Sequence, residues 1–391
     1  MKILIANPGS TSYKCKIFDK NTLAINFRMT IERIGDHESM YHYQFDDTEK
    51  TSGRKKIPGY YDAVKWSLDI IQKRIPVQKI SAVGFKVVLA KDVTGCVELN
   101  DQVIQAMKEF ETLAPVHTQI YLDAISIFKK IIPQIPLIGL FETAFHINIP
   151  PEAYLYGIPY EYSEKHRIRK YGFHGASHTY VAHRVKEKYV KDKQDYKIIS
   201  CHLGGSSSIC AIKNGISIDT SMGMSPQCGL LNAKRVGDMD PFALLYLIDK
   251  EKFTLEEIRK ILITQGGVLG ISGVSGDFRD IENEMKKGNR RAAYAFKSFA
   301  YSVKRYLGEY IAVLNGTDYI VFTGGLGQNS PLMRETILSN MDQIGIILDQ
   351  IINKKNPGEG IISANNSPVR VIVMPTDEEK IVAREVAKMI G

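Results

Sequence analysis

Two segments that lie half a chain length apart resemble each other, and this internal repeat is the feature that most constrains the fold. KILIANPGSTSYKCKI (2–17) aligns without a gap on KIISCHLGGSSSICAI (197–212) in a chain of 391 residues. Each segment predicts a strand, a Gly/Ser-rich turn and a second strand. The second copy continues into Asn214-Gly215, which is a strong two-residue hairpin turn. The repeat predicts two similar halves, each opening on a hairpin.

Composition excludes several classes of protein. The longest strongly apolar runs have about ten residues, whereas a membrane-spanning helix needs roughly 20. The N-terminal MKILIANPGS becomes polar too early for a signal peptide, and the five cysteines show no metal-type spacing. We therefore predict a cytoplasmic protein with reduced thiols and no membrane partner. The net charge of +8 comes from cations spread along the chain, which favours a basic site or surface over a nucleic-acid groove.

Glycine-rich turns follow apolar strands at three places in the sequence. Two are the turns of the repeat, and the third lies in DYIVFTGGLGQNS (318–330). Glycines let the backbone approach an anion, to which N–H and hydroxyl groups then donate. A solvent-exposed hairpin is the commoner explanation of one such turn, but two in register favour phosphate-binding loops.

Helical signals complete the outline of the fold. Apolar residues recur at helical spacing over 290–314 and end at Asn315-Gly316, while Ser330-Pro331 begins another helix. Thr376 with Glu379 predicts a capping box at the start of the last helix. Strands and helices alternate throughout, so we predict an α/β protein with two layered-sheet domains and a cleft between them.

Long motifs are distributed over nearly the whole chain. They are NPGSTSYK (7–14), LAPVH (113–117), FETAFH (141–146), RKYGFHGASH (169–178), HLGGSSS (202–208), DTSMGMSP (219–226), RVGDMDP (235–241), ISGVSGDFRDI (271–281), FTGGLGQNSP (322–331) and PTDEE (375–379). With these motifs the chain resembles acetate kinase and the related short-chain carboxylate kinases of the sugar kinase/Hsp70/actin superfamily. The resemblance implies two duplicated actin-like (ribonuclease H-like) domains with a central active-site cleft. The first would span 1–147 plus 378–391 and the second 148–377, with a homodimer formed through the second.

The resemblance also implies the reaction, in which ATP and a carboxylate give ADP and an acyl phosphate with Mg²⁺ or Mn²⁺. Phosphoryl transfer depends mainly on positioning and charge stabilisation. Arg235 matches the arginine that neutralises the transferring group, and His174 matches a histidine that stabilises the transition state. Glu142 stands at a catalytic and metal-site position. Asn7 matches a residue that contacts substrate or phosphoryl group, and Asn7 and Glu378 are the implied metal residues.

Further site residues follow from the same motifs. The substrate-binding set, of which four side chains would surround the alkyl group of the acid, comprises Lys86, Val88, Val116, His117, Phe173 and Pro226. The set implied to bind nucleotide and phosphate comprises Ser10, Ser12, Lys14, His202, Gly204, Gly205, Ser206, Asp277, Phe278, Arg279, Gly325, Leu326, Gly327 and Asn329.

The chain departs from the family pattern at positions near the implied ligands. Lys86 replaces an arginine and keeps the charge but loses bidentate geometry. Glu142 replaces an aspartate, and its extra methylene moves the carboxylate by more than about 1 Å, a displacement that can cost on the order of 100-fold in rate. Gly205 replaces an asparagine, and Phe85 and Leu89 replace histidines. We predict that these changes surround the ligands rather than lie in the packed core.

Three functions remain open on the sequence alone. The first is an ATP-dependent kinase for acetate or propionate; Val116, in place of a leucine, leaves room for about one more methylene and favours a longer acid by roughly 1 kcal/mol. The second is a kinase of the same fold with a different acid or phosphoryl donor. The third is a nucleotide-binding module that has lost catalysis. A module of this kind would not need to retain four site residues together, Asn7, His174, Arg235 and Glu378.

Overall fold

A computed structural model describes residues 1–46, 48–190 and 194–391 and divides the chain into two compact units. Unit 1 contains Met1–Phe145 and Asp377–Gly391, and unit 2 contains His146–Thr376. Within the described ranges, every helix is too short or too polar to cross a lipid bilayer.

Unit 1 is built on an eight-stranded mixed sheet. Its strands are β1 (Lys2–Pro8), β2 (Ser12–Asp19), β3 (Ile25–Glu32), β4 (Ser39–Phe45), β5 (Thr51–Lys55), β6 (Ile80–Val87), β7 (Cys96–Glu98) and β8 (Leu137–Phe141). They lie in the order β5-β4-β3-β2-β1-β6-β8-β7. β1 pairs antiparallel with β2 and parallel with β6, and β6 pairs parallel with β8. The carboxyl ends of β6 and β8 therefore lie side by side.

Three helices of unit 1 come before strand β8 in the chain. They are α1 (Tyr60–Gln72), α2 (Asp101–Glu109) and α3 (Pro115–Ile131), with 3₁₀ turns at Val77–Lys79 and Glu111–Leu113. Pro115 begins α3 at a position that needs no backbone donor. The buried side chains of α3, Tyr121, Ala124, Ile125 and Phe128, follow helical spacing and pack into the core of unit 1.

Unit 2 repeats the central part of this sheet. Its strands are β9 (Lys197–His202), β10 (Ser208–Lys213), β11 (Ile216–Thr220), β12 (Tyr319–Thr323), β13 (Gly360–Ile361) and β14 (Arg370–Val373), in the order β11-β10-β9-β12-β14-β13. The path β11-β10-β9-β12-β14 has the same strand directions as β3-β2-β1-β6-β8. The predicted hairpin turn is confirmed, since Asn214 and Gly215 have φ of 54° and 85° and join β10 to β11. The duplication read from the sequence is thus present in the fold.

Unit 2 also contains eleven helices within the described residues. They are α4 (Pro151–Tyr154), α5 (Tyr160–His166), α6 (Gly175–Lys188), α7 (Pro241–Glu251), α8 (Leu255–Lys260), α9 (Gly267–Ser272), α10 (Phe278–Lys286), α11 (Arg290–Val313), α12 (Gly324–Asn329), α13 (Pro331–Leu338) and α14 (Gln350–Lys355), with a 3₁₀ turn at Asp342–Ile344 and a π-helical turn at Ile261–Gln265. A further 3₁₀ turn, Ala144–His146, begins in unit 1 and ends at the first residue of unit 2. The predicted helix over 290–314 is confirmed as α11. The predicted start at Ser330-Pro331 is also confirmed, because the Ser330 hydroxyl accepts from the Met333 amide and Pro331 is the first helical residue.

Two local predictions are wrong. The glycine-rich stretch after β12 forms the short helix α12 rather than a turn. The final helix, α15 (Glu378–Met389), is capped by Asp377, whose carboxylate accepts from the Lys380 amide, and not by Thr376 with Glu379. An aspartate is at least as good an N-cap as a threonine. The cap shifts by one residue, and Glu379 pairs with Lys16 at 2.5 Å instead.

Candidate active site

Lys86, Glu142 and Glu378 form one ion cluster in unit 1. Lys86 lies near the end of β6, Glu142 follows β8 and Glu378 begins α15. The Lys86 ammonium lies 3.1 Å from Glu142 Oε1 and also pairs with Glu378 Oε2. Burial alone would lower the pKa of Lys86, but the two carboxylates raise it well above its usual range. Lys86 is therefore a permanent cation held between two anions.

The backbone explains how Glu142 reaches Lys86. The Glu142 amide donates to the Val87 carbonyl at 2.8 Å, so the chain beyond β8 is still held against β6. Glu142 is only 6% exposed, and its side chain must extend along this edge to meet the ammonium. An aspartate at the same backbone position would carry its carboxylate about one C–C bond closer to the main chain. The two departures from the family pattern, Lys86 and Glu142, are thus in direct contact.

Asn7 belongs to a neighbouring polar group of unit 1. Its amide nitrogen donates to Glu379 Oε1 at 3.4 Å, and its amide oxygen lies 3.5 Å from the Tyr121 hydroxyl. Sequence reasoning missed Tyr121 because its place in the apolar stripe of α3 indicates core packing. The two residues implied to bind a metal contact different side chains. Asn7 contacts Glu379 and Tyr121, whereas Glu378 pairs with Lys86.

The other unit 1 site residues are placed as follows. Ser10 and Lys14 are exposed and Ser12 is half-buried, in the hairpin that the Gly9 amide closes on the Ser12 carbonyl at 2.8 Å. Val88 is half-buried, while Val116 and His117 are exposed in the first turn of α3.

Two of the family departures lie in the packed interior, contrary to the prediction that all of them surround the ligands. Phe85 is fully buried in the core of unit 1 and meets Phe128 edge to face at 5.4 Å between ring centroids. Leu89 is 1% exposed. Because burial of an apolar side chain stabilises the folded state, packing in the core explains these two replacements.

A group of histidines surrounds the start of α6 in unit 2. His174 has the left-handed values φ 57° and ψ 28°, and its Nδ1 lies 2.8 Å from the Ser208 hydroxyl. Its ring stacks on His202 with 4.3 Å between centroids, and His202 Nδ1 in turn meets the Ser177 hydroxyl at 2.8 Å. Ser208 of β10 and the stacked His202 of β9 therefore both contact the His174 ring, and Ser177 of α6 holds His202.

His146 supports the residue next to His174 and was missed as a site residue, although it ends the FETAFH motif. It is buried, with Nε2 3.0 Å from the Phe173 carbonyl and Nδ1 2.8 Å from the Ser217 hydroxyl. Burial lowers the pKa of His146 to about 4, so the ring is neutral at pH 7. Because a carbonyl only accepts, Nε2 carries the proton and fixes the backbone at Phe173.

Arg235 is held by neutral acceptors. Its Nη1 donates to the Pro226 carbonyl at 2.9 Å, and its Nη2 lies 3.5 Å from the Asn232 side-chain oxygen. Among residues 1–46, 48–190 and 194–391, no carboxylate forms an ion pair with Arg235, which argues against a surface ion-pair role. Burial lowers the pKa of Arg235 to about 10, so it remains charged at neutral pH. Asn232, also missed, accepts from the Ser207 amide at 2.6 Å and thereby links Arg235 to the second Gly/Ser turn.

A cavity of about 700 Å³ in unit 2 collects most of the implied nucleotide residues. This volume lies within the range of small-molecule pockets. The residues that line it are Gly204, Gly205, Ala233, Lys234, Ser275, Gly276, Asp277, Phe278, Arg279, Glu282, Gly325, Leu326, Asn329 and Ser330. Within the described ranges, His202, Ser206 and Gly327 are not part of this lining.

Side chains in the cavity wall also maintain its shape. Asp277 caps α10 and pairs with Arg279 at 2.5 Å, while the Phe278 ring packs on Phe299 at 4.6 Å between centroids. Arg334, which sequence reasoning missed, is fully buried and donates to the carbonyls of Gly327 and Gln328 at 2.8 Å each. It therefore secures the end of α12, a helix whose residues Gly325, Leu326 and Asn329 line the cavity.

Backbone space explains the glycines of the cavity. Gly324 has φ of 76°, and a Cβ there would lie 2.5 Å from the Leu203 carbonyl oxygen. Gly205 and Gly325 differ, because within the described residues no atom outside the adjoining stretch of chain lies within 4 Å of a Cβ placed on either. At these two positions the missing side chains leave room for a ligand to approach the backbone.

Comparison with known proteins decides the family. The Acetokinase family matches residues 2–384. The chain belongs to the acetokinase family. Acetate kinases of Thermoanaerobacter pseudethanolicus and Natranaerobius thermophilus are 42% and 41% identical to it over all of this chain and 99% and 100% of theirs. The family predicted from the motifs is confirmed.

Solved structures of acetokinase relatives have the same fold. The Porphyromonas gingivalis acetate kinase superposes with a TM-score of 0.87 at 36% identity and covers 100% of both chains. A propionate kinase from Francisella tularensis superposes with a TM-score of 0.90 at 32% identity and covers 98% of both chains. The predicted α/β fold with two related sheets is confirmed.

Proposed function

We propose that this acetokinase-family chain is an ATP-dependent carboxylate kinase, with acetate or propionate as acceptor. Membership in the family confirms the predicted class, a phosphotransferase with a carboxyl group as acceptor. The observation that carries the proposal is Arg235, a half-buried guanidinium bound by a carbonyl and an amide oxygen. Its charge remains available for an anionic group, as phosphoryl transfer requires.

The proposed reaction is direct transfer of the γ-phosphoryl group. A carboxylate oxygen forms a bond to phosphorus as the bond from phosphorus to the ADP oxygen breaks. The acceptor is ionised at neutral pH and ADP leaves as an anion, so the step needs charge stabilisation rather than a general base. We assign Arg235 to the equatorial phosphoryl oxygens, where its planar fork fits, and His174 to a hydrogen bond with the same group. Lys86 would bind the acceptor carboxylate.

The acidic residues of unit 1 fit a divalent cation. Carboxylate oxygens are the ligands that Mg²⁺ prefers, and one or two of them with phosphates and waters complete its usual shell. Glu142 and Glu378 meet at the Lys86 ammonium, so these two carboxylates would be the side chains that hold the cation. Bound Mg²⁺ would supply charge neutralisation. Asn7 would then contribute through its amide oxygen, and Lys86 would be freed for the substrate.

Incubation with MgATP and a series of short carboxylates, with hydroxylamine to trap acyl phosphate, tests the proposed function. Hydroxamate formed with acetate or propionate supports it. Product formed only with another acid, or only with another phosphoryl donor, would favour the second alternative. ATP binding without product from any acid would favour a non-catalytic nucleotide-binding module. The cytoplasmic location remains a prediction.

We expect Gly205→Asn to strengthen nucleotide binding. The position is exposed and offers open space for a side chain, and the asparagine amide would add one donor toward a phosphate. One such hydrogen bond contributes about 1 kcal/mol, which corresponds to roughly a fivefold lower KM for MgATP. Steady-state kinetics measures the change, with Gly358→Asn as a control at another open position. An unchanged or raised KM would contradict the assignment of Gly205 to the phosphate loop.

We further propose that the chain forms a homodimer through unit 2. None of the residues of helix α7 is buried. Three of its large apolar side chains lie on one face, and these side chains, Phe242, Leu245 and Tyr246, are 74%, 53% and 62% exposed. An exposed apolar face of this kind is typical of an interface. The family resemblance implies a second copy of the chain as its occupant.

Leu245→Glu is therefore expected to give a monomer, because it places a charge in the proposed apolar contact. Light scattering coupled to size exclusion measures the mass. Tyr61→Glu, an exposed aromatic of α1 in unit 1, is the control and should leave the dimer intact. A dimer that persists in Leu245→Glu would place the interface elsewhere.

A further inference from the structure

A row of buried hydrogen bonds leads from strand β9 to His174. The Ser200 hydroxyl lies 2.9 Å from His178 Nδ1, and His178 Nε2 lies 2.9 Å from the Ser208 hydroxyl. The same Ser208 oxygen lies 2.8 Å from His174 Nδ1. Ser200, His178 and Ser208 are each 0% exposed, so water does not complete their hydrogen bonding.

The burial of Ser200 determines which group donates and which accepts in each hydrogen bond of this row. Across the described ranges, the only partner of its hydroxyl is His178 Nδ1. A buried hydroxyl proton without an acceptor is costly, so Ser200 donates and His178 Nδ1 accepts. Burial, with His146 and His202 nearby, lowers the pKa of His178 well below its usual range, so the ring is neutral and carries one proton. That proton is then on Nε2.

The remaining steps follow from the donor and acceptor inventory. His178 Nε2–H donates to the Ser208 oxygen, and the Ser208 hydroxyl is left with its own proton to donate. Its other partner is His174 Nδ1, which therefore accepts. The reverse direction would place a proton on His174 Nδ1 and leave the buried Ser200 hydroxyl proton without an acceptor.

We propose that Ser200, His178 and Ser208 form a directional hydrogen-bond chain that sets neutral His174 in the tautomer with its proton on Nε2. His178 is then a positioning residue, which acts through Ser208 on the ring assigned to the transferring phosphoryl group. This role rests on the proposed function. A phosphoryl group offers only acceptor oxygens, and the ionised carboxylate has no proton to give up. A neutral His174 with an Nε2–H can therefore donate throughout the reaction and keep its proton.

The histidine tautomer can be measured without any substrate. Protein labelled with ¹⁵N in histidine is studied by long-range ¹H–¹⁵N NMR at a pH where His174 is neutral, and His174→Gln identifies its signals. We expect the Nε2–H tautomer in the natural protein. Ser208→Ala and Ser200→Ala should each shift His174 toward a mixture of tautomers. Ser363→Ala removes another buried serine hydroxyl of unit 2, which accepts from the Val371 amide, and should leave His174 unchanged.

The kcat and KM of the same serine variants are measured alongside the NMR spectra. Loss of a positioning partner should lower kcat by about 10-fold, with KM for MgATP unchanged. An Nδ1–H tautomer in the natural protein would overturn the proposal, and so would a natural-type tautomer in both serine variants even if kcat falls. Because the tautomer is read without turnover, an Nε2–H signal in a protein that phosphorylates no acid would count against the proposed function alone.

Discussion

Arg235→Ala is expected to lower kcat by about 10³-fold or more, the range in which an arginine contributes to phosphoryl transfer. The Arg235 guanidinium is half-buried in unit 2, where the Pro226 carbonyl and the Asn232 side chain hold it in place. Alanine removes both the charge and its two-pronged geometry at the transferring group. Binding of ATP should weaken only modestly, since the nucleotide cavity is lined by other residues. Turnover by the hydroxamate assay and ATP affinity by calorimetry measure the two effects.

Two control variants separate charge from geometry and from general damage. Arg235→Lys keeps a positive charge without the planar fork and should recover only a small part of the activity. Arg184→Ala removes a half-exposed arginine that pairs with Glu359 and should leave kcat unchanged. Substantial turnover in Arg235→Ala would refute the assigned role. A loss of ATP binding as large as the loss of kcat would instead indicate a ground-state role in nucleotide binding.

Glu142→Asp is expected to lower kcat/KM by about 100-fold, because a displacement of about 1 Å at a reacting site can cost that much. The shorter side chain draws the carboxylate back from the Lys86 ammonium, which now lies 3.1 Å from Glu142 Oε1. Glu142 is almost fully buried, so its carboxylate would lose its cation while remaining out of water. The aspartate of the family is thus expected to be the worse residue in this chain.

The double variant Lys86→Arg/Glu142→Asp tests whether the two positions are coupled. Arginine reaches further than lysine, so it should meet the shorter carboxylate and regain a large part of the activity. Lys86→Arg alone should also be less active, because it crowds the longer Glu142. A double-mutant cycle on kcat/KM measures the coupling. If Glu142→Asp alone raises activity on acetate, Lys86 and Glu142 are not co-adapted.

Sequence patterns predicted the features that depend on neighbouring residues. Asn214-Gly215 indicated a hairpin because both residues tolerate positive φ, and the apolar stripe over 290–314 indicated α11. Local patterns failed where two short-range choices compete. Thr376 and Asp377 can each cap α15, and the ion pair between Glu379 and Lys16 accompanies the cap at Asp377.

The site shows the same division at longer range. The motif around Glu142 indicated a site carboxylate, but its contact with Lys86 depends on the parallel pairing of β6 with β8. Phe85 stood at a position that the family pattern associates with a ligand, and only the packing of α3 against the sheet shows it to be core. Asn232, His146 and Arg334 act on site residues through buried hydrogen bonds, for which the sequence has no periodic signal.

By itself, the sequence determined the family, the duplicated hairpins and the residue types available for phosphate and carboxylate chemistry, because these depend on local order along the chain. Only the tertiary structure decided that Lys86 lies between Glu142 and Glu378, and that Ser200 and His178 lead to His174. Strand pairing and burial bring such residues together from distant positions. Burial also removes water as an alternative partner, and therefore decides which group must donate, which must accept and which charge must be paired.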